Sequence, residues 1–168
     1  MISESSLKDG PSLEEDLQDL ELGENLTILH KNRKSKGGKT AGGGVAIVFN
    51  KDKIRLKEYR IRSAKTELLC AVGKLPGLNR KIFVLSAYIP PQIKARQSKE
   101  ALDLINRPVS QAKNEFDDPL VIAGGDFNNR PLVDALAEFD DMKIKQTPPT
   151  RKDEVLDLVA SNLSLIHI

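Results

Sequence analysis

The stretch that decides the fold is Leu120-Val-Ile-Ala-Gly-Gly-Asp-Phe-Asn-Asn129, in which an apolar segment runs into a glycine-rich polar end. The apolar run Leu120–Ala123 predicts a short strand that is buried on both faces of a sheet. Gly124 and Gly125 are predicted to close the strand, since glycine lets the backbone turn tightly and lets a bulky phosphate approach it. The stretch therefore predicts an inner strand with polar side chains at its end.

Asp126 and Asn128 are the candidate catalytic pair of this stretch. They are two residues apart, so both would point the same way on a continuing strand. A carboxylate can orient or deprotonate a water molecule, and an amide can hold a phosphate oxygen, as phosphodiester hydrolysis requires. A plain turn is the alternative, because glycine, aspartate and asparagine all favour turns. Spacing alone leaves both interpretations open.

Strands and helices are predicted on either side of this stretch. The predicted strands are Thr27–His30, Val45–Phe49, residues 54–60, Thr66–Lys74, Lys81–Ile89 and Val155–Ala160. The predicted helices are residues 12–20, Ala95 to Ile105, a second piece from Pro108 to near Phe116, and Leu132–Phe139. Pro76-Gly77 lies between two of these strands and indicates a hairpin. The mixture favours an α+β layered sandwich with mixed or antiparallel sheets over a doubly wound parallel sheet.

Composition and charge exclude several classes of protein. The chain has 168 residues, which suits one domain, and 39% hydrophobic residues, which suffice for a core. No run approaches the roughly 18 apolar residues of a membrane span, and the single Cys70 excludes an internal disulfide framework and a Cys-rich zinc site. Residues 1–24 contain eight acids and one base, whereas the remainder is basic. A basic body is compatible with a nucleic-acid partner.

Four further motifs stand in order around Gly125-Asp-Phe-Asn128. They are Ile2-Ser-Glu-Ser-Ser-Leu-Lys8, Gly42-Gly-Gly-Val-Ala-Ile-Val48, Ser86-Ala-Tyr-Ile-Pro-Pro91, and Thr150-Arg151 with Leu156-Asp-Leu-Val159. Together the motifs resemble the endonuclease/exonuclease/phosphatase superfamily, and most closely the endonuclease domain of non-LTR retrotransposon reverse transcriptases. The resemblance covers residues 2–160. It implies a DNase I-like, four-layer α/β/β/α sandwich of two mixed or antiparallel sheets flanked by helices, here incomplete.

The resemblance also implies a role for each matching residue. Asp126 would activate the attacking water, Asn128 would position it or bind phosphate, and Tyr88 would donate to the scissile phosphate. Asp157 would orient a catalytic histidine, and Glu4 would bind Mg²⁺, or Mn²⁺ in its place, as hard cations take carboxylate ligands. Three plainer alternatives stay open: a core tyrosine at Tyr88, an edge strand with Asp157 facing water, and an acid in a frayed terminus at Glu4.

Two departures from the family pattern concern the ends of the sequence. The family begins with a strand that carries an active-site asparagine, and it ends with a Ser-Asp-His motif on a further strand. Here Met1, Ile2 and Ser3 precede Glu4, and no Asp-His pair follows Ala160. We therefore expect a domain over residues 1–160 that lacks both strands, an artefactual tail over residues 161–168, and little or no activity. Neither His30 nor His167 takes the histidine role.

The implied function is that of a Mg²⁺-dependent endonuclease domain that nicks DNA at the target site of a retroelement. The expected partners are DNA as substrate and a reverse transcriptase domain in the full-length protein, with no membrane partner, a monomeric state and access to the nucleus from within the cell. Five basic residues of a predicted exposed loop are candidates for contact with the DNA backbone. The alternative is a loop that is only solvated. The five residues are Lys31, Arg33, Lys34, Lys36 and Lys39.

Two other functions remain open from the sequence. One is a phosphatase or phosphodiesterase of the same superfamily that acts on lipid or nucleotide phosphates. The other is a catalytically dead binding module. Metal titration separates the binding module from the two enzymes, and a comparison of small phosphoesters with plasmid DNA separates the enzymes from each other.

Overall fold

The computed structural model describes residues 2–3, 25–32, 44–61, 67–91, 98–128, 141–144 and 157–163. The strands in this part of the chain are β1 (Ile2–Ser3), β2 (Leu26–Asn32), β3 (Gly44–Asn50), β4 (Arg55–Glu58), β5 (Glu67–Lys74), β6 (Lys81–Tyr88), β7 (Leu120–Asp126), β8 (Lys143–Ile144) and β9 (Asp157–Ser161). The helix α1 spans Ser98–Glu115. The predicted helices 12–20 and Leu132–Phe139 lie outside the described residues.

A mixed sheet of six strands forms the centre of the molecule, in the order β4-β5-β6-β7-β9-β8. Strands β6 and β7 are parallel, and every other neighbouring pair in this sheet is antiparallel. Parallel neighbours need a crossover connection, and α1 lies in the connection between β6 and β7. The prediction of mixed sheets is confirmed.

The hairpin of β5 and β6 fixes the register of the large sheet. Lys74 pairs with Lys81 beside the turn, and Glu67 pairs with Tyr88 at the far end. The turn is the predicted Pro76-Gly77, where Gly77 has a φ of 82° and the N–H of Leu78 donates to the carbonyl of Leu75 at 3.2 Å. A positive φ is available to glycine at little cost, so the sequence of this turn matches its geometry.

A smaller antiparallel sheet of three strands, in the order β1-β3-β2, packs on one face of the large sheet. Strand β2 extends through Asn32, and Lys31 pairs with Val45. Lys31 therefore lies in a strand, and the prediction that it belongs to an exposed loop is wrong. The strand continues because the β3 partners extend to Gly44 and supply ladder hydrogen bonds to both residues. The other four basic residues of that segment lie outside the described residues.

Apolar side chains cover both faces of the large sheet, as the alternation of side chains along a strand requires. On one face Phe83, Leu85 and Val121 pack against Ala101 and Ile105 of α1. On the other face Leu69, Val84 and Leu120 pack against Val45 and Ile47 of the small sheet. The described layers are thus α1, the large sheet and the small sheet, and the predicted sandwich class is confirmed. Burial also raises the pKa of the Cys70 thiol in the α1-side core.

Helix α1 is continuous from Ser98 to Glu115, so the prediction that Pro108 separates two helical pieces is wrong. A proline inside a helix removes one hydrogen bond and costs about 3 kcal/mol. Pro108 is itself fully buried, and Ile105 and Val109 beside it are buried against the sheet. Burial of large apolar side chains contributes about 1.5–3 kcal/mol each, which offsets the proline. None of the described helical residues forms a segment apolar enough to cross a membrane.

The residues that follow β9 are tied to β7. Ser161 still belongs to β9, one residue past the predicted boundary at residue 160. The Asn162 side chain accepts a hydrogen bond from the N–H of Val121 at 2.8 Å and donates one to the carbonyl of Pro119 at 3.0 Å. Leu163 packs on the core between the two sheets. The described part of the predicted tail, Ser161–Leu163, is therefore packed on the fold.

Candidate active site

Three of the four predicted catalytic residues lie in one row across three neighbouring strands. Tyr88 on β6 pairs with Asp126 on β7, and Asp126 pairs with Asp157 on β9. Neighbouring strands are about 4.8 Å apart, and paired residues point to the same face of a sheet. The sheet thus brings together a phenol and two carboxylates from distant parts of the sequence.

The row lies on the face of the large sheet that the small sheet covers. Tyr88 belongs to the core cluster between the two sheets, together with Val45 and Ile47 of β3. Burial decreases along the row, because Tyr88 is 5% exposed, Asp126 is half-buried and Asp157 is exposed. From Tyr88 to Asp157 these side chains therefore lead from the core to solvent, as a site for a water-soluble substrate requires.

Three solved structures share this arrangement of layers. The human Nocturnin catalytic domain with a bound sulfate anion matches 95% of this chain and 67% of its own, with 14% identity and a TM-score of 0.70. An endonuclease/exonuclease/phosphatase from Bacteroides vulgatus matches 88% of this chain and 69% of its own, with 14% identity and a TM-score of 0.60. The chain has the endonuclease/exonuclease/phosphatase fold.

The third structure is the endonuclease domain of TRAS1, a telomere-specific non-LTR retrotransposon, with 16% identity and a TM-score of 0.56. The match covers 82% of this chain and 65% of that domain. The chain thus spans about two thirds of the length of these structures. No protein-family model and no curated protein sequence matches it.

In this endonuclease/exonuclease/phosphatase fold, β7 ends at Asp126 and the chain turns immediately. The N–H of Asn128 donates to Oδ1 of Asp126 at 3.0 Å, and Asn128 has a φ of 41°. This is an Asx turn, which asparagine and aspartate both favour. The turn alternative is confirmed locally, and the prediction that Asp126 and Asn128 share one strand face is wrong. The two residues are instead joined by a turn that the carboxylate of Asp126 stabilises.

Phe127 fixes the turn from the opposite side of the sheet. Its ring is 1% exposed and belongs to the core cluster beneath α1. The N–H of Ile89 donates to the carbonyl of Asp126 at 2.9 Å, which ties the end of β6 to the end of β7. Asp126 is therefore held by a buried neighbour and by two backbone hydrogen bonds, one at its carbonyl and one at its carboxylate.

The two glycines before Asp126 are part of strand β7, so the prediction that they close the strand is wrong. Both lie inside β7, and Gly125 has a φ of 146°. A Cβ atom at Gly125 would stand 1.8 Å from the carbonyl oxygen of Ala87 on β6. Because Gly125 has no side chain, the two strands can approach each other directly beside the pair Tyr88 and Asp126.

Glu67 is a further member of the row and belongs to none of the sequence motifs. It pairs with Tyr88 across the β5–β6 hairpin and is half-buried. The register that places it there is set by the Pro76-Gly77 turn, because each step back from the turn pairs one residue of β5 with one of β6. Counting outward from the predicted turn would have found it. The row is therefore Glu67, Tyr88, Asp126 and Asp157, and we call it the catalytic row after the role predicted from the motifs for its last three members.

Lys31 lies beside the β5 end of the catalytic row. Its ammonium donates to the carbonyl of Leu68 at 3.2 Å, next to Glu67. A cavity of about 270 Å³ opens there, with Arg60 and Glu58 among its lining residues. A cation thus stands at the edge of the acidic row, where it can contact an anionic substrate.

The metal-binding prediction falls outside the described residues. Glu4 follows Ser3, which pairs with Val45, and Val45 also pairs with Lys31 beside the row. Within the described ranges, no three His, Cys, Asp or Glu side chains are grouped closely enough to hold a metal ion. The carboxylates of the row are oxygen donors, which fit Mg²⁺, since this ion takes one or two carboxylates and fills its other positions with water and phosphate.

Proposed function

We propose that the catalytic row is the hydrolytic centre of a Mg²⁺-dependent endonuclease domain that cleaves phosphodiester bonds in DNA. One observation carries the proposal: the sheet register places Tyr88, Asp126 and Asp157 side by side, from the core between the two sheets at Tyr88 to solvent at Asp157. A phenol next to carboxylates supplies both a donor for phosphate oxygens and a base for water. The fold supports this assignment, because the TRAS1 endonuclease domain shares it.

Each residue takes a role that fits its position. Asp126 orients or deprotonates the attacking water, since it is half-buried and fixed by the Asx turn. Tyr88 and Asn128 flank it and stabilise charge on the phosphate. Asp157 orients a histidine, in the role that the family resemblance implies. His30 does not supply that histidine, because it is exposed on β2 and pairs with Ala46 in the small sheet.

Glu4 is the proposed Mg²⁺ ligand, with Mn²⁺ as a substitute. Support comes from Ser3, which lies on β1 opposite Val45, at the end of the small sheet that borders the row. A bound divalent cation would polarise a phosphate oxygen and offset charge that develops during hydrolysis. Asp126 and Asp157 are also paired across β7 and β9, and carboxylate oxygens are ligands that Mg²⁺ takes.

DNA is the proposed substrate, and a reverse transcriptase domain is the proposed partner in the full-length protein. The match to a retrotransposon endonuclease domain supports both assignments. Lys31 at the β5 end of the row supports contact with an anionic backbone. We extend that role to the four other basic residues of the segment, Arg33, Lys34, Lys36 and Lys39.

Plasmid nicking with protein in excess over DNA tests the proposal. The sequence contains no Ser-Asp-His motif, so we expect slow conversion of supercoiled to open-circular plasmid, and only with Mg²⁺ or Mn²⁺. The Asp126→Asn variant should lower this rate by about 10²-fold or more, because it removes the base. Asparagine keeps the oxygen that accepts from Asn128, so the turn is preserved. Asp103→Asn on α1, an exposed site with the same charge change, should leave the rate unaltered.

Three outcomes would contradict the proposal. Equal nicking rates in the wild type and in Asp126→Asn would show that the catalytic row does not take part in the hydrolysis. Cleavage of a small phosphate monoester without nicking of plasmid would favour the phosphatase. No binding of Mg²⁺ or Mn²⁺ by titration, together with no nicking, would favour the binding module.

A further inference from the structure

A second charged feature lies at the end of the large sheet opposite to the catalytic row. It is an open groove of about 910 Å³ formed by the turn at residues 51–54, by β4, and by the hairpin end of β5 and β6. We call it the distal groove. One acid, Asp52, lines it, together with six basic residues: Lys51, Lys53, Arg55, Lys57, Lys74 and Lys81.

Three of these cations stand directly side by side. Arg55 pairs with Lys74, and Lys74 pairs with Lys81. Paired residues on neighbouring strands point to the same face about 5 Å apart, and like charges in that position destabilise a sheet. A row of three cations across β4, β5 and β6 is therefore a feature that the sheet itself does not favour.

The described surroundings do not neutralise this row. The ion pairs among the described residues are Arg80 with Asp118 and Lys113 with Asp141, and neither involves the row. Asp52 accepts a hydrogen bond from Asn25 at 2.6 Å. The Lys81 ammonium lies 6.0 Å from the centre of the Phe116 ring. The groove thus presents concentrated positive charge to solvent.

The distal groove is separate from the catalytic row. Glu67 in the row and Lys74 in the groove lie at opposite ends of β5, an eight-residue strand. At about 3.3 Å per residue, the two sites are roughly 23 Å apart. A phosphate held at Asp126 does not reach the groove, so the two sites contact different parts of any long ligand.

We propose that the distal groove binds the sugar-phosphate backbone of a nucleic acid strand. Lys and Arg side chains that neutralise successive phosphates supply most of the affinity in such contacts. The groove is concave, and Leu78 at its edge is 50% exposed and available to a sugar or base. A concave, mainly cationic groove can enclose a strand, whereas a flat membrane surface would reach only its rim. The proposal concerns binding alone and does not depend on hydrolysis at the catalytic row.

Binding of a fluorescent oligonucleotide, followed by anisotropy over a range of salt concentrations, tests the proposal. The triple variant Arg55→Gln, Lys74→Gln, Lys81→Gln should bind about 10-fold more weakly near physiological salt. Its plot of log affinity against log salt should also be shallower by about two, because each lost phosphate contact removes about 0.7–0.9 from the slope. The matched control removes three exposed charges elsewhere: Lys99→Gln, Arg107→Gln and Lys143→Gln. It should change the affinity less than 2-fold.

A single variant separates binding from folding. Lys74→Glu places an acid between Arg55 and Lys81, so it should raise the midpoint of thermal unfolding while it weakens binding of the oligonucleotide. Equal losses of affinity in both triple variants, or unaltered affinity in Lys74→Glu, would overturn the proposal. So would binding of anionic vesicles that depends on the groove residues while oligonucleotide binding does not. Anisotropy measures binding without cleavage, so the outcome of this test is distinct from that of the nicking test of the hydrolytic function.

Discussion

At the scale of single residues, Gly125 determines whether the strands that carry Tyr88 and Asp126 can lie next to each other. Its φ of 146° is one that residues with a side chain rarely adopt. The space for a Cβ atom is occupied by the carbonyl of Ala87. A glycine that looks like part of a phosphate-binding turn in the sequence is thus required for strand packing.

Replacement of Gly125 by alanine should therefore lower the free energy of unfolding by about 3 kcal/mol or more, from backbone strain and from the clash with β6. Urea unfolding measures the change. Gly77→Ala is the control, because Gly77 also has a positive φ, of 82°, but has open space where its Cβ would stand. Gly77→Ala should lower the free energy of unfolding by only about 1–2 kcal/mol. A smaller loss at Gly125 than at Gly77 would show that the strands can separate there without penalty.

The residues of the candidate site differ in how far the sequence predicts them. Asp126 and Tyr88 each end a strand with strong apolar patterning, so the sequence predicts their position in the sheet closely. The backbone conformation at Asn128 is not predictable from spacing, because the same residue types fit both a strand and an Asx turn. Glu67 lies in no motif, and only the register of the hairpin brings it to Tyr88.

At the scale of elements, local patterns predict the strands well and the helix less well. Strands β3, β5, β6 and β7 match their predictions within three residues at each end, because apolar runs bounded by glycine and proline are strong signals. Pro108 predicts a helix boundary that does not exist, since its buried position in α1 is a tertiary effect. The pairing order of the large sheet, with β9 between β7 and β8, has no local signal at all.

The contact of Asn162 with β7 gives a prediction at this scale. Asn162→Ala removes the partner of the N–H of Val121 and of the carbonyl of Pro119, so it should lower the free energy of unfolding by about 1–3 kcal/mol. Asn162→Asp keeps the acceptor for the N–H of Val121 but sets a carboxylate oxygen against the carbonyl of Pro119, so it should also be less stable than the wild type. Asn114→Ala on the exposed side of α1 is the control and should have almost no effect. No loss in Asn162→Ala, measured by chemical denaturation, would place residue 162 outside the folded domain.

At the scale of the whole molecule, the large sheet is stabilised by separate cores on its two faces. Tyr59 follows β4 and lies on the α1 side, where its ring meets Phe83 at 5.3 Å and Phe116 at 6.1 Å between ring centres. Its hydroxyl donates to Glu115 at the end of α1 at 2.6 Å. The pKa of Tyr59 is raised to about 12, chiefly by this hydrogen bond and to a smaller extent by burial. The edge of the sheet is thus joined to the helix by a titratable group.

The stability of the molecule should therefore depend on this phenol at high pH. Because the folded pKa is raised above the ordinary value of 10, the stabilisation is fully present below pH 10 and is lost as the pH rises to about 12. Tyr59→Phe keeps the ring contacts and removes the hydrogen bond. It should be less stable than the wild type by about 1 kcal/mol at neutral pH, and the difference should vanish near pH 12. Urea unfolding of both proteins across this range measures it, and a constant difference would contradict the assignment.

The mixed pairing of β5, β6, β7 and β9 also has a kinetic consequence. The pairs of the catalytic row join residues that are 21, 38 and 31 positions apart in the chain. The β5–β6 hairpin closes the shortest of these loops, so it has the lowest entropic barrier and is expected to form early. The pairing of β7 with β6 requires the whole α1 crossover to be in place. A folding intermediate that holds only the hairpin contains Glu67 and Tyr88 without either aspartate, so the carboxylates of the row come together only as folding is completed.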